Sequence, residues 1–375
     1  MSARPPSGES GATLIVGAGL IGASIGMALV AAGRSVWLED ADPDVTRLAA
    51  ALGAGTAAPL SPGQAGVAVD TVIVAVPPAA IATECSRLTH TYPTATVIHV
   101  CSVQTRPRLE IDRLMLNSSH IIGTHPMAGS ERGGPTASSA ALFRDRPWVI
   151  CPDGCEPSAA AVADDVVRAC GGYPVRMSAT AHDDAVALVS HTPQLVSSAL
   201  AGQLADAAPE IVTIAGTGIR DLTRLAGADP VLWRDIIASN AGPVRRHLRD
   251  LRDALDRVIL ALGESGPGDH ENAAVTRLLD RGRAGRERLG GKHGSRGRHW
   301  STVQVVIEDR PGTLVAVLSA CQDLGVNVED ISVDHAPGHP VGVLELQVDP
   351  VAADSLAEAL RSRGWEVAGV AFPHD

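Results

Sequence analysis

Lysine is almost missing from this chain: Lys292 is the only one in 375 residues. That scarcity nearly excludes Schiff-base chemistry, a P-loop lysine and a lysine general base. An anionic ligand must instead be held by arginine, by helix N-termini or by backbone N–H groups. Aromatic residues are few as well, at 2%, so the cores must be built from Ala, Val, Leu and Ile. The six cysteines (85, 101, 151, 155, 170 and 321) are scattered. Only Cys151 and Cys155 lie close together, and no second pair completes a tetrahedral set. No metal is expected, and buried free thiols in a reducing cytosol are the better reading. No basic block stands out against a net charge of −11, which argues against nucleic acid as a partner. The opening residues MSARPPSGES contain no apolar h-region, so no signal peptide is expected. One long apolar stretch exists, Leu14 to Ala32, and Gly22 and Gly26 make a GxxxG pair within it. No comparable segment follows, and acidic residues come soon after it. A cytoplasmic α/β unit is expected there, not a membrane span.

The length is too great for one ordinary core, so two or three domains are expected. Thr13 to Val16 reads as a strand, followed by Gly17-Ala18-Gly19-Leu20-Ile21-Gly22 and an apolar helical stretch. A second strand, Ser35 to Leu38, ends at Glu39-Asp40, so an acid stands 23 positions after Gly17. A glycine pattern between strand and helix, with an acid at that distance, is a dinucleotide signal. Gly17, Gly19 and Gly22 let backbone approach a pyrophosphate, and Leu20 and Ile21 open the helix that faces its charge. Asp40 would accept hydrogen bonds from a ribose and repel a 2′-phosphate, which favours NAD over NADP. Further strand-like runs at Thr71–Val76, Ala95–Val100, His120–Thr124, Trp148–Cys151 and Tyr173–Met177 alternate with helical patterns. That alternation describes a doubly wound parallel sheet over residues 1–178.

From Thr180 the apolar period becomes helical, and Thr180-Ala181-His182-Asp183 reads as a capping box. Residues 179–289 are expected to form an all-α domain for substrate binding and dimerisation. Residues 290–299 (GGKHGSRGRH) form a glycine-rich basic linker. The remaining 300–375 read as βαββαβ, a ferredoxin-like unit.

The runs ending at Cys101-Ser102-Val103 and at His125-Pro126 matter most. Adjacent parallel strands would carry a hydroxyl and an imidazole to the carboxyl edge of the sheet, where ligands of such folds bind. Pro126, with no N–H to donate, is expected to end its strand.

GAGLIGASI, the CSV strand end, GTHPMAGSE, SHTPQ and DLTRLAGADPVLWRDI, in that order, resemble the prephenate/arogenate dehydrogenase family of tyrosine biosynthesis. EDRPGTL and LGVNVEDI resemble an ACT domain, a module that binds amino acids as regulators. The resemblance covers nearly the whole chain. It implies an NAD-dependent enzyme that oxidatively decarboxylates prephenate to 4-hydroxyphenylpyruvate, under feedback from an aromatic amino acid, and forms a homodimer. The alternatives are an arogenate dehydrogenase making tyrosine directly, and a catalytically silent sensor of NAD and amino acids.

By the family pattern His125 is the base that takes a hydroxyl proton, and Ser102 hydrogen-bonds the same hydroxyl. Neutral histidine suits the role, because its pKa lies near working pH. Arg224, in DLTRLA, is the implied clamp on a substrate carboxylate. Trp233 is either a site contact or plain core. Glu131 either sets polarity at the entrance or is a solvated loop acid. His191 either lines the pocket or is a satisfied core histidine. Val326-Asn327-Val328 resembles the stretch where such domains hold an effector. Two positions depart from the family: Gln104 replaces a frequent lysine and Gln194 a second histidine. Neither glutamine can carry charge, which leaves the keto or amino preference open.

Overall fold

The computed structural model describes residues 11–57, 67–114, 118–129, 133–262, 269–289, 300–335 and 340–372. Glu131 and the 290–299 linker lie outside the described residues. By contact the chain divides into Met1–Asp206 with Thr223–Leu251, and Ala207–Leu222 with Arg252–Asp375.

The first unit is built on eight strands: β1 (Ala12–Val16), β2 (Val36–Glu39), β3 (Thr56–Ala57), β4 (Val69–Val74), β5 (Thr96–Val100), β6 (Ile121–Pro126), β7 (Pro147–Cys151) and β8 (Tyr173–Arg176). Their order is β3-β2-β1-β4-β5-β6-β7-β8. Successive residues of β1 feed opposite faces, Leu14 and Val16 into one core and Ile15 into the other. A strand covered on both faces reads as a continuous apolar run, which is why these strands are legible in the sequence. Gly17, at φ +95°, breaks the long apolar stretch into β1 and the helix Leu20–Ala31. Among the described residues no helix is long and apolar enough to cross a membrane.

The sheet departs from expectation at one junction. β6 and β7 pair antiparallel, while every other pairing is parallel. No long helix lies between them among the described residues, so the chain returns along its neighbour without a crossover. Pro126 is the last residue of β6, as expected, and His125 lies inside the strand, paired with Val149.

Beyond β8 come the helix Ala179–Val186, a π-helical turn Ala187–His191 and the helix Thr192–Gly202. The expected capping box is absent. Ser178 caps the first helix by accepting from the Ala181 N–H at 3.2 Å. A serine two residues before Thr180 fits the start of the helix, and the Asp183 carboxylate is used elsewhere.

In the second unit, β9 (Ser301–Glu308), β10 (Val328–His335), β11 (Val341–Val348) and β12 (Glu366–Ala371) form an antiparallel sheet of order β10-β11-β9-β12. Helices Thr313–Asp323 and Pro350–Ser362 contribute to its core. This is the expected ferredoxin-like arrangement.

Candidate active site

The glycine turn is shaped by close backbone approach. A Cβ on Gly17 would stand 2.3 Å from the Ala75 carbonyl oxygen, and one on Gly22 would stand 1.8 Å from that of Gly17. A Cβ on Gly19 would meet nothing within 4 Å. Gly19 is also the N-cap of the helix Leu20–Ala31 and offers no capping side chain. Leu20 and Ile21 open that helix, and the first amides of a helix have no intrahelical partner, which suits a pyrophosphate. Asp40 lies at the same turn and accepts from the N–H groups of Ala18 (2.7 Å) and Asp42 (2.9 Å). Its neighbour Glu39 is engaged by Arg87 at 2.6 Å. The residues present thus fit a dinucleotide, with Asp40 the acid oriented at the turn.

The strand register carries His125 and Ser102 to the same edge of the sheet. The Val100–Thr124 pairing of β5 and β6 puts Cys101-Ser102 alongside His125-Pro126. Gln104 fastens the two strand ends: its amide nitrogen donates to the carbonyls of Cys101 (2.7 Å) and Thr124 (2.9 Å). Gly123 makes room for that side chain, since a Cβ there would lie 2.1 Å from its oxygen. Gln104 is buried, so where the family often has a lysine this chain has a clamp between strands. The Cys101 thiol beside Ser102 is pushed up to about 12, chiefly by burial, and is no nucleophile.

Behind His125 runs a chain of side chains that the sequence did not disclose. His125 Nδ1 is 2.9 Å from His182 Nε2, and His182 Nδ1 is 2.9 Å from Asp183 Oδ1. Asp183 Oδ1 also accepts from the Gln104 N–H at 2.8 Å, and Oδ2 from the Thr105 N–H at 2.8 Å. These amides lie at the N-terminus of the helix Thr105–Leu114. Burial raises the Asp183 pKa, but hydrogen bonds from His182, Thr105 and Gln104 outweigh it and hold the carboxyl below its ordinary value. Asn240 Nδ2 donates to the Asp183 carbonyl (2.7 Å) and lies 3.1 Å from His191 Nδ1. His182, Asp183 and Asn240 are all missed functional candidates. Their only sequence signal was polar type within an apolar helical pattern.

His125 is half-buried, and its imidazole is pushed down to about 3. Burial is the main cause, the neighbouring imidazoles of His182 and His191 add to it, and Asp183 opposes them. His191 is buried and pushed down to about 4, again mainly by burial. Its ring meets half-buried Trp233 edge to face at a centroid distance of 6.0 Å. Trp233 stands on the helix Pro230–Ser239, which packs against the Pro78–Ala80 turn beyond β4. Arg224 does not lie within a helix: the helix Thr217–Thr223 ends before it, and Arg224 opens a 3₁₀ turn to Gly227. Gln194, buried, donates to the carbonyl of Leu225 at 2.8 Å and so ties that turn to the helix Thr192–Gly202. His125, His191 and Trp233 are thus gathered, Ser102 follows β5 two residues beyond its pairing with β6, and Arg224 is tethered through its neighbour.

A cleft of about 430 Å³ is lined by Thr105, Thr180, Asp183, Asn240 and Arg246 among others, but by neither His125 nor Ser102. In the C-terminal domain a second cleft, of about 640 Å³, is lined by Arg310, Gly312, Thr313, Trp365 and Glu366 among others. Val326, Asn327 and Val328 do not line it. Val326 and Val328 pack on the domain core, and Asn327 is exposed.

Comparison with known proteins fits this geometry. Residues 25–175 match the family model of the prephenate dehydrogenase nucleotide-binding domain, 178–271 that of the prephenate dehydrogenase dimerization domain, and 301–362 that of the ACT domain. A probable prephenate dehydrogenase, NovF, from Streptomyces niveus is 32% identical over 363 residues, 94% of this chain and 98% of its own length. The fold resembles that of prephenate dehydrogenase from A. aeolicus, solved with hydroxyphenyl propionate and NAD+, at a TM-score of 0.67 and 24% identity. That match covers 75% of this chain and 99% of the other. Arogenate dehydrogenase from Synechocystis gives a TM-score of 0.62 at 25% identity, over 74% and 99%.

Proposed function

The chain belongs to the prephenate dehydrogenase family, and from that premise we propose that it oxidatively decarboxylates prephenate to 4-hydroxyphenylpyruvate with NAD. His125 takes the proton of the ring hydroxyl while hydride leaves the same carbon, and Ser102 hydrogen-bonds that hydroxyl. Bound at the glycine turn, NAD supplies the hydride acceptor. Loss of CO₂ makes the ring aromatic, so the step needs no separate decarboxylation residue. Arg224 is assigned to a substrate carboxylate, and His191, Trp233, Gln194 and Glu131 to the substrate pocket. The observation that carries the reading is that β5 and β6, in register at Val100–Thr124, bring Ser102 and His125 to the carboxyl edge where β1 also ends in the glycine turn. Steady-state turnover with prephenate and with arogenate, each with NAD and NADP, tests it. Absence of turnover in all four would overturn it, and a preference for arogenate would favour direct formation of tyrosine.

Residues 1–178, 179–289 and 300–375 are assigned as nucleotide-binding, dimerisation and regulatory domains around the 290–299 linker. A homodimer is part of the same reading. Ile214 and Leu260 are 83% and 80% exposed in the stretch that matches the dimerization model, and apolar surface of that kind calls for a partner.

Two expected results follow from the assignments. The wild type should use NAD far better than NADP, because Asp40 would face a 2′-phosphate. Asp40→Ser should narrow the ratio of kcat/KM values by about tenfold or more, a difference of about 1.4 kcal/mol. Part of the change should be a loss with NAD, since Asp40 also holds the Ala18 N–H. Equal use of both cofactors by the wild type would refute the role of Asp40. For the ACT domain, tyrosine or another aromatic amino acid should alter the activity, through the Val326-Asn327-Val328 stretch where Asn327 is exposed. A chain ending at Leu289 should lose the response, and calorimetry showing no amino-acid binding to the full chain would refute it.

A further inference from the structure

The hydrogen bonds behind His125 form a directed series, because its far end accepts only. Asp183, held below its ordinary pKa, is an ionised carboxylate and has no proton to give. The contact with His182 Nδ1 at 2.9 Å therefore requires the proton on that nitrogen. A neutral imidazole protonated at Nδ1 has a bare Nε2. His182 Nε2 must then accept from His125 Nδ1, 2.9 Å away. His125 is left with its lone pair on Nε2.

The same carboxylate-bearing residue anchors a second series that runs the other way. A carbonyl oxygen accepts only, so the group of Asn240 that lies 2.7 Å from the Asp183 carbonyl is its NH₂. That NH₂ also lies 3.1 Å from His191 Nδ1, which must accept. His191 is then protonated on Nε2.

We infer that Asp183, His182 and Asn240 are positioning residues that set two active-site imidazoles in opposite tautomers, His125 as an acceptor at Nε2 and His191 as a donor at Nε2. The inference rests on the assignment of His125 as the base and gives that assignment its reason. Two histidines gather at one site, but only one presents a lone pair to a hydroxyl. His191 presents an N–H suited to a substrate oxygen. The carboxylate is held by two main-chain amides at a helix N-terminus, an environment that favours the anion. Wrong-tautomer imidazoles are poor bases even where geometry is intact.

The test reads the tautomers directly and then the rate. The full-length enzyme labelled with ¹⁵N in histidine is examined at neutral pH by long-range ¹H–¹⁵N correlation, with His125 assigned by its loss in His125→Asn and His191 by its loss in His191→Asn. The expected spectrum has His125 protonated at Nδ1 and bare at Nε2, with His191 reversed. His182→Phe keeps the ring shape but removes the acceptor. It should lower kcat by roughly 10²-fold or more while KM, melting temperature and NAD affinity stay near wild type. His182→Gln, whose amide oxygen can accept from His125 Nδ1, should recover at least about tenfold of that loss. The charged and titratable groups facing His125 are His182, His191 and Asp183, and His99 faces His182. In this arrangement His182 accepts from His125 Nδ1, a bond that favours the protonated imidazole, so its loss in His182→Phe should move the acidic limb of kcat/KM down. A wild-type His125 protonated at Nε2 would overturn the inference. So would a His182→Phe enzyme with normal kcat and an unmoved limb, or a glutamine variant no better than phenylalanine. If His182→Phe fails to fold, the wild-type spectrum decides alone. If the spectrum is as expected but no turnover of prephenate occurs, the functional reading fails and the tautomer assignment stands.

Discussion

His125→Asn is expected to lower kcat on the order of 10²–10⁴-fold, the scale for loss of a general base. The fold should survive, because His125 is only half-buried and its strand is held by main-chain pairing to β5 and β7. Binding of NAD should be unchanged, since the glycine turn and Asp40 are untouched. The pH dependence has a definite sign. Burial and the imidazoles of His182 and His191 disfavour the charged form, so the free enzyme's His125 titrates near 3 and not near 6.5. Activity limited by this group is therefore retained as pH falls through the ordinary histidine range. It is lost only as pH approaches the lowered value. The two carboxylates of bound prephenate would raise the proton affinity of the imidazole, so the acidic limb of kcat should lie above that of kcat/KM. Stopped pH profiles of both parameters check this. Near-normal turnover by His125→Asn with an unchanged acidic limb would make His125 structural and leave the base elsewhere.

Arg224→Ala should act on a different parameter. A guanidinium clamp on a carboxylate is used in ground and transition states alike, so its loss appears mainly in KM. Charge-assisted hydrogen bonds contribute about 1.5–3 kcal/mol, so KM for prephenate should rise roughly 10–10²-fold while kcat changes little. Arg224→Lys should recover only part of the loss, because an ammonium cannot make the bidentate contact. Gln194→Ala should give a weaker version of the same phenotype by releasing the turn that carries Arg224. A fall in kcat at unchanged KM for Arg224→Ala would exclude the clamp.

Much of this protein is legible in one dimension because the physics responsible is local. A parallel strand covered on both faces must be an apolar run, and Gly17 must be glycine because a Cβ would strike the Ala75 carbonyl. The near absence of lysine settles which cations can meet an anionic substrate before any fold is known. Ser102 and His125 could be singled out for the same reason: each stands at the carboxyl end of a run that announces itself.

The tertiary structure alone decided how those residues are held. Nothing along the chain tells that β7 runs against β6, which fixes His125 within a strand instead of after one. Asp183 looked like part of a helix cap, yet its carboxylate serves amides 78 and 79 positions earlier in the sequence. Gln104 looked like a neutral substitute in the pocket, yet it closes two strands over a glycine 19 positions away. Buried polar groups must find partners wherever the fold supplies them. A buried carboxylate, a pair of imidazoles and an asparagine acquire their direction from neighbours that the chain brings together only when it packs.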